Sequence, residues 1–216
     1  MKWPQHDPNI RKPKLRGVSH AFGAILAVPA VLWLYSSAES MTSQVGVLIY
    51  GLSLVGLLSV SAIYHTFRWS EVMRLHMRRL DRSMIFVLTA GTQTPFLLIL
   101  EEQLPGWLAG VVWAGAFGGL LMSTLWPRAP RWIASLSYIV LSMTCLPILP
   151  VLHSEIGLTP IVLILGGGAV YIVGAIAYVM EKPNPFPNVF GYHEIFHLLV
   201  LVAATCHFAA VQTVVR

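Results

Sequence analysis

The sequence predicts an all-α integral membrane protein, a bundle of seven transmembrane helices with a cytoplasmic N-terminus and an external C-terminus. Its 216 residues are 56% hydrophobic and only 11% charged, with a mean hydropathy of +0.70, whereas soluble domains carry about 25% charged residues. The apolar residues fall into separate stretches, each near the ~20 residues that a helix needs to cross a bilayer. The basic residues occupy alternate connections between those stretches.

Seven apolar stretches fill almost the whole chain after a basic segment at residues 1–16. They cover residues 17–36, 44–67, 81–100, 106–126, 132–152, 159–179 and 192–214. A secretory signal peptide over residues 1–38 is disfavoured, because its apolar run exceeds the usual ~7–15 residues. No low-complexity linker interrupts the chain, so we assign residues 17–216 to one membrane domain.

Prolines and small residues inside the stretches predict features of individual helices. A proline removes a backbone donor and collides with the preceding turn, so the prolines are expected to kink their helices. These prolines are Pro29, Pro95 and Pro147. The row formed by Gly110, Ala114 and Gly118, with Gly115 and Gly119 beside it, predicts that the fourth helix is internal, because small residues let helices approach closely.

The basic residues predict the orientation. Thirteen of the 14 Lys and Arg residues lie on one side of the proposed spans, and Arg216 alone lies on the other. Basic loops remain cytoplasmic, which places the N-terminus inside and the protein in the inner (plasma) membrane of the cell. The net charge of +5 then reflects orientation and attraction to anionic head groups. We therefore expect no nucleic-acid partner, and nothing in the sequence specifies a protein partner.

Two histidines four residues apart begin the seventh stretch. His193 and His197 project from one helix face with Cβ atoms about 5–6 Å apart, a spacing that lets two imidazole nitrogens reach one ion at about 2.0–2.1 Å. A third imidazole must come from another helix. His65, at the cytoplasmic end of the second stretch, is the natural candidate, and His20 lies at the same membrane face. Three nitrogens and an open position are typical of a catalytic zinc site.

Asp81 begins the third stretch at the depth of these histidines. It is either a fourth ligand or the group that holds a zinc-bound water. We favour the second role, because a carboxylate can accept the proton of that water as a general base. Ser61 lies one helical turn deeper than His65 on the same face, where it can orient a ligand or the water. Asp81 and Ser61 are therefore the candidate catalytic residues.

Three separated motifs together resemble those of the hemolysin III family. The segments are "SAIYH" (61–65), similar to its S-x-x-x-H motif, "LDRSMIFVLTAGTQTPFLL" (80–98), similar to its third-helix signature, and "HEIFHLLVLVAATCHF" (193–208), similar to its final-helix H-x-x-x-H. "GVSHAFG" (17–23) also fits. These bacterial proteins are relatives of the progestin and adipoQ (adiponectin) receptors, in a superfamily that includes alkaline ceramidases. Arg82 stands where some relatives have histidine.

The resemblance implies a seven-helix bundle with an intramembrane zinc near the cytoplasmic face. The matching ligands are His65, His193 and His197, with a water bridged to Asp81. "HEIFH" also matches the H-E-x-x-H motif of metalloproteases, with Glu194 as the base. That reading is less favoured, because no acidic residue follows His197 to complete such a site. The family pattern leaves the second position free, so we interpret Glu194 as incidental.

Three functional hypotheses follow. The first is a zinc-dependent, ceramidase-like hydrolase of a membrane lipid amide or ester, supported by the open coordination position and the resemblance. The second is a non-catalytic sensor of membrane or lipid state with a structural zinc. The third, a pore-forming hemolysin, fits least, because no polar stripe crosses any stretch. The sequence does not separate an enzyme from a sensor.

Two further expectations concern the surroundings of the site. The loop "EKPNPFPNVFGY" (181–192) has three alternating prolines, which favour an extended, stiff segment at the mouth of the site. His207, about 15 Å deeper than His197 by helix rise, is expected to pack in the core.

Overall fold

The computed structural model describes residues 13–216, so Lys2, His6, Arg11 and Lys12 of the basic N-terminal segment lie outside the described residues. Eight α-helices follow: α1 Val18–Ser36, α2 Met41–Thr66, α3 Glu71–Ile99, α4 Leu108–Leu125, α5 Arg131–Ser142, α6 Ile148–Glu155, α7 Leu158–Met180 and α8 Tyr192–Val215. A 3-10 helix, Met143–Cys145, follows α5. Within this range the only β-type pairing is one isolated bridge between Phe186 and Phe190. The all-α prediction is confirmed.

The helices follow the apolar stretches with two differences. Helix α3 begins at Glu71, ten residues before the stretch predicted to start at residue 81, because the charged residues before Asp81 are also helical and Ser70 caps them. The fifth stretch is broken into α5, the 3-10 helix and α6, with a bend of 41°. Pro147 directly precedes α6, as expected for a residue that interrupts a helix, whereas Pro29 and Pro95 lie inside continuous helices.

The protein is a multi-pass membrane protein. In the described part of the chain, five helices are long and apolar enough to cross a membrane: α1, α2, α4, α7 and α8. The bent α5–α6 pair is a sixth if it forms one span. Helix α3, whose first turns are strongly charged, is outside that set, so a seventh span remains a prediction.

Helix α8, the last helix, packs against α1, the first helix of the described chain. Neighbouring helices pack in sequence, with α2 between α1 and α3, α4 against α3, and α7 against α8. Helix α8 also contacts α1, α2 and α3. Tyr50, Leu58 and Phe86 are among the largest fully buried side chains at these contacts. The start of α8 is therefore adjacent to the end of α2 and the first half of α3.

The small residues of α4 divide between two faces: the row of Gly110, Ala114 and Gly118 faces outward, whereas Gly115 and Gly119 face other helices. Gly110, Ala114 and Gly118 are exposed, and open space lies beside both glycines. Close contacts occur at Gly119, where the ring of Phe86 fills the space that a Cβ would need, and at Gly115, where a Cβ would lie 2.8 Å from Cδ1 of Leu141. Small residues on both faces of α4 made the sequence pattern ambiguous, and the bulky Phe86 selects the face that holds Gly119.

The loop at residues 181–192 turns back on itself, so the expectation of an extended segment is wrong. The backbone N–H of Phe186 donates to the carbonyl of Phe190 at 3.1 Å, and the N–H of Phe190 donates to Phe186 at 2.8 Å. Lys14 and Leu15 donate backbone hydrogen bonds to the loop, at Asn188 and Val189. These bonds, which the proline pattern does not encode, fold the loop against the segment that precedes α1.

Candidate metal centre

The three predicted histidines meet where α2 ends and α8 begins. His65 lies in the last turn of α2, and His193 and His197 lie in the first two turns of α8. Their exposed fractions are 8%, 8% and 2%. The Nε2 atoms of His65 and His193 are 3.3 Å apart, and one ligand atom from each histidine lies within 4.8 Å of the others.

Helix α8 is fixed at its first turn by Glu194. Its Oε2 accepts a hydrogen bond from the backbone N–H of Gly191 at 2.8 Å, which caps the helix. Its Oε1 forms an ion pair with Nε of Arg16, just before α1. Glu194 is 3% exposed and both of its oxygens are engaged. The glutamate of "HEIFH" therefore orients the helix that carries His193 and His197.

The end of α2 is fixed by its contact with the start of α1. Gly17 precedes α1 with φ of 84°, a left-handed conformation that glycine adopts at little cost. A Cβ at Gly17 would lie 3.0 Å from Cβ of His65 and 2.9 Å from Oγ1 of Thr66. Glycine is thus required both by the backbone conformation and by the close approach of α1 to His65.

The three imidazoles fit a zinc ion. Tetrahedral ligands at about 2.0–2.1 Å from zinc lie about 3.3 Å from one another, the separation observed between Nε2 of His65 and Nε2 of His193. Histidine nitrogens are borderline-soft ligands that zinc accepts readily. Nδ1 of His197 is buried with no hydrogen-bond partner in the described structure, and buried polar atoms ordinarily have one. The three histidines could therefore hold a metal ion, with one ligand atom from each within 4.8 Å of the others.

Asp81 and Ser61 lie beside the histidines. Oδ2 of Asp81 is 3.9 Å from Nε2 of His65, too long for a hydrogen bond. Asp81 is not one of the three residues whose ligand atoms converge. Ser61 is 4% exposed and its side chain interacts with the Asp81 carboxyl group. All five residues line one cavity, so the structure brings together every residue that the sequence nominated.

His20 makes a contact at the site that the sequence did not reveal. Its ring stacks on that of His197, with centroids 3.9 Å apart and an angle of 6° between the planes. His20 is 2% exposed, and neither of its ring nitrogens has a hydrogen-bond partner in the described structure. The sequence placed His20 at the same membrane depth as His197, but equal depth does not predict that the two rings stack. His207, in contrast, shares a hydrogen bond with the carbonyl of Ile164 at 3.2 Å, as expected for a core histidine.

Arg131 is a second residue that sequence reasoning missed at this end of the protein. Its Nη1 lies 2.6 Å from Oε1 of Glu181. Its guanidinium lies over the rings of Tyr178 and Tyr192, at 4.9 Å and 5.5 Å from their centroids. These contacts connect the start of α5 with the end of α7 and the start of α8. The positive-inside pattern explained the charge of Arg131 but not this connection.

A cavity of about 680 Å³ extends from the histidines into the helix bundle. Its lining includes the three histidines, apolar side chains such as Phe96, Leu146 and Ile164, and polar side chains farther along the helices such as Thr92, Gln93 and His207. An apolar groove of about 390 Å³ lies between α5 and α7. Four residues line both spaces: Ser135, Ile139, Ile172 and Ala175. The cavity and the outer surface are therefore separated by a single layer of side chains.

Comparison with known proteins identifies the family. The model of the family described as "Haemolysin-III related" matches residues 9–208. The chain is 32% identical to "Hemolysin-3" of Bacillus cereus, over 94% of this chain and 91% of that protein. It is 28% identical to "Hemolysin-3 homolog" of Bacillus subtilis (strain 168), over 94% and 93% of the two chains.

A human protein is also similar. The chain is 23% identical to "Monocyte to macrophage differentiation factor" of Homo sapiens, over 89% of this chain and 80% of that protein. The family match and the Bacillus cereus relative both extend from the segment before α1 into α8, and so include all three histidines. The resemblance recognised in the sequence is confirmed, and the chain belongs to the hemolysin III family of multi-pass membrane proteins.

Proposed function

We propose that the protein is a zinc-dependent hydrolase of a membrane lipid amide or ester. The observation that carries the proposal is the convergence of three buried imidazoles, within 4.8 Å of one another, beside a carboxylate 3.9 Å from one of them. Zinc bound by three histidines keeps an open position, where it polarises a carbonyl and activates water. Among residues 13–216 no fourth ligand joins the three histidines, whereas a structural zinc is ordinarily closed by a fourth protein ligand.

In this proposal His65, His193 and His197 bind the metal. Asp81 accepts a proton from the attacking water and later returns it to the leaving group. The water oxygen attacks the lipid carbonyl carbon while its proton passes to Oδ2 of Asp81. Asp81 then returns that proton to the leaving nitrogen or oxygen as the C–N or C–O bond breaks. This exchange is ordinary general-base and general-acid catalysis. Ser61 is a positioning residue that orients Asp81.

The surroundings of the cavity support a lipid substrate. The cavity lining combines the histidine cluster with many apolar side chains, a combination that suits the head and chains of a lipid. The groove between α5 and α7 shares four residues with the cavity. Rotation of Ile139 and Ile172 would open a path between them. We therefore propose that the lipid enters sideways between α5 and α7.

We further propose that the chain crosses the plasma membrane seven times, with a cytoplasmic N-terminus. After Arg82, α3 carries no charged residue up to Ile99, and its buried face includes Phe86, Ala90 and Phe96. The segment of α3 from Asp81 onward then forms the third span. The α5–α6 pair forms one broken span. The distribution of Lys and Arg supports this orientation, which places the metal centre near the cytoplasmic face.

Hydrolysis can be tested with purified protein in liposomes. The wild type and Asp81→Asn are reconstituted with amide-linked and ester-linked lipids, and released fatty acid is measured by mass spectrometry with and without a zinc chelator. We expect release from the wild type, its loss on chelation, and a reduction of about 10²–10⁴-fold in Asp81→Asn. Release that survives chelation, or that is unchanged in Asp81→Asn, would contradict the mechanism. No release from any lipid would favour the sensor with a structural zinc.

A further inference from the structure

The cavity has a second group of polar side chains, on α3 and well beyond the metal centre. Thr89, Thr92 and Gln93 line it, and their spacing of three and four residues places them on one face of the helix. Gln93 follows Asp81 by 12 residues, which is about 18 Å by helix rise. With α3 as a span, this depth lies near the middle of a hydrocarbon core about 30 Å thick. Polar side chains are costly there unless they serve a partner.

The break in the fifth span supplies backbone carbonyls to the same cavity. The N–H of Leu146, which would donate to Ser142 in a continuous α-helix, donates instead to the carbonyl of Met143 at 3.0 Å. The N–H of Leu149 likewise donates to the carbonyl of Leu146, at 3.3 Å, rather than to Cys145. Ser142 and Cys145 both line the cavity. Their carbonyls have thus lost their helical donors at a depth where backbone groups need partners.

Gln93 joins the break to α3 and keeps a donor for the cavity. The hydroxyl of Thr144, in the 3-10 helix, donates to Oε1 of Gln93 at 3.0 Å. The Gln93 side-chain nitrogen carries two N–H groups, and its contact with the carbonyl of Thr89 is long, at 3.4 Å. Gln93 is 6% exposed. The contact with Thr144 uses only Oε1, so the amide N–H groups can serve a ligand.

His207 adds an acceptor to this part of the cavity from α8. It lines the cavity about 15 Å beyond His197 by helix rise. Its Nε2 shares a hydrogen bond with the carbonyl of Ile164, which can only accept, so Nδ1 of the neutral ring is an acceptor. Gly167 admits the ring, because a Cβ there would lie 2.6 Å from Cδ2 and Nε2 of His207. We call these groups the deep polar wall: Thr89, Thr92, Gln93, Ser142, Cys145 and His207.

The deep polar wall offers mainly acceptors and one kind of donor. The hydroxyls of Thr89 and Thr92 donate to carbonyls of their own helix, at 2.8 Å and 2.7 Å, which leaves their oxygens as acceptors. The two carbonyls at the break and Nδ1 of His207 are acceptors as well, and Gln93 is the donor. A hydroxyl group both donates and accepts, so it matches this set, whereas a ketone only accepts and an alkyl chain does neither.

We infer that the deep polar wall binds a hydroxyl group carried midway along the acyl chain of a lipid. The lipid head lies beside the histidines, and the chain follows α3 to the break in the fifth span. A buried hydroxyl without a partner is costly, so an apolar cavity would prefer an unsubstituted chain and this cavity prefers a hydroxylated one. The inference deepens the proposed function and rests on it in one respect, that a lipid occupies the cavity.

Binding is measured by native mass spectrometry of the purified full-length protein. The probes are 12-hydroxystearic acid, stearic acid, which lacks the hydroxyl, and 2-hydroxystearic acid, which carries it beside the carboxylate. The variants are Gln93→Leu, Thr92→Val and the control Thr124→Val, each verified as folded by circular dichroism. Thr124 bonds to its own helix as Thr92 does, at 2.9 Å from the carbonyl of Leu120, but it is not among the cavity-lining residues.

We expect the wild type to bind 12-hydroxystearic acid about two- to tenfold more tightly than stearic acid, the range of one net hydrogen bond. Gln93→Leu and Thr92→Val should lose most of that preference, and Thr124→Val should keep it. Stearic acid bound as tightly as 12-hydroxystearic acid by the wild type would overturn the inference. An equal preference for 2-hydroxystearic acid, or an equal loss in Thr124→Val, would overturn the assignment to the deep polar wall.

The same comparison separates this inference from the proposed function. It is repeated in His193→Ala/His197→Ala, in which hydrolysis is not possible under the proposed mechanism. The ratio of the two affinities should be retained there, because the deep polar wall lies about 15 Å from the histidines by helix rise. A preference that depends on Gln93 in that variant supports the inference even if the wild type hydrolyses no lipid. Its absence there would overturn the inference even if the wild type is a hydrolase.

Discussion

The imidazole rings of His20 and His197 lie face to face, with centroids 3.9 Å apart and 6° between their planes. The two residues come from α1 and α8, at opposite ends of the chain. His197 also contacts His65 and His193, with ring centroids 4.8 Å and 4.6 Å away. One face of the His197 ring is thus covered by His20, which restricts rotation of a candidate metal ligand.

Replacing His20 should therefore weaken zinc binding without removing the site. We expect His20→Ala to keep about one zinc per chain at saturation but to lose it to a competing chelator about tenfold faster, the low end of the effect of outer-shell residues. His20→Phe keeps a flat ring at the same place and should behave more like the wild type. The rate of zinc release is measured with a fluorescent chelator.

Equal release rates from His20→Ala and the wild type would refute the positioning role of His20. Equally fast release from His20→Ala and His20→Phe would assign the effect to the ring nitrogens.

Glu194 is expected to act on stability rather than on chemistry. Glu194→Gln removes one charge of the buried pair with Arg16 and should destabilise the protein by about 1–3 kcal/mol, seen as a lower melting temperature in detergent. Zinc content should not change. The double variant Arg16→Gln/Glu194→Gln leaves no unpaired charge and should recover part of the loss. If Glu194→Gln instead abolished hydrolysis in a folded, zinc-loaded protein, the glutamate would be the base of the H-E-x-x-H motif.

Two adjacent glycines test which face of α4 is internal. In Gly119→Ala the new methyl group meets the ring of Phe86, and such overpacking costs about 1–3 kcal/mol. Gly118 has no neighbouring atom within 4 Å of a Cβ, so Gly118→Ala should be neutral or slightly stabilising. Melting temperatures of the two variants provide the comparison. The reverse order would place the row of Gly110, Ala114 and Gly118 inside the bundle.

The proposed orientation can be tested at two exposed histidines. His76 lies in the first turns of α3 and His153 in the last turn of α6. With seven spans and an internal N-terminus, they lie on opposite sides of the membrane. In a background of Cys145→Ala and Cys206→Ala, we expect an impermeant maleimide to label His153→Cys but not His76→Cys in intact cells. Labelling of His76→Cys alone would invert the orientation, and equal labelling would change the number of spans.

The sequence predicted which histidines lie together better than it predicted how the helices pack. The spacing of His193 and His197, and the equal depth of His65 and Asp81, are consequences of helix geometry and of the membrane plane. Helix geometry follows from the chain itself, so these residues could be assigned without knowing which helices touch. Most helix boundaries were predicted closely for the same reason, since they follow from apolar length; the start of α3 and the broken fifth stretch are the exceptions.

The features that the sequence did not predict depend on contacts between distant segments. The stacking of His20 on His197 depends on α1 meeting α8. The outward face of α4 depends on Phe86 of α3, and the folded loop depends on backbone bonds to Lys14 and Leu15. Glu194 looked incidental because its partner, Arg16, is 178 residues away. None of these contacts produces a periodic pattern of residues within one segment of the sequence.

The central claim, a metal centre of three histidines, is tested most directly by the zinc content of the purified protein. The measurement is inductively coupled plasma mass spectrometry of the wild type, His65→Ala, His193→Ala/His197→Ala and the control His207→Ala. His207 is a partly buried histidine on the same helix that shares a hydrogen bond with the carbonyl of Ile164. We expect about one zinc in the wild type and in His207→Ala, and its loss in the other two variants. Zinc retained at the wild-type level in His193→Ala/His197→Ala would contradict the account.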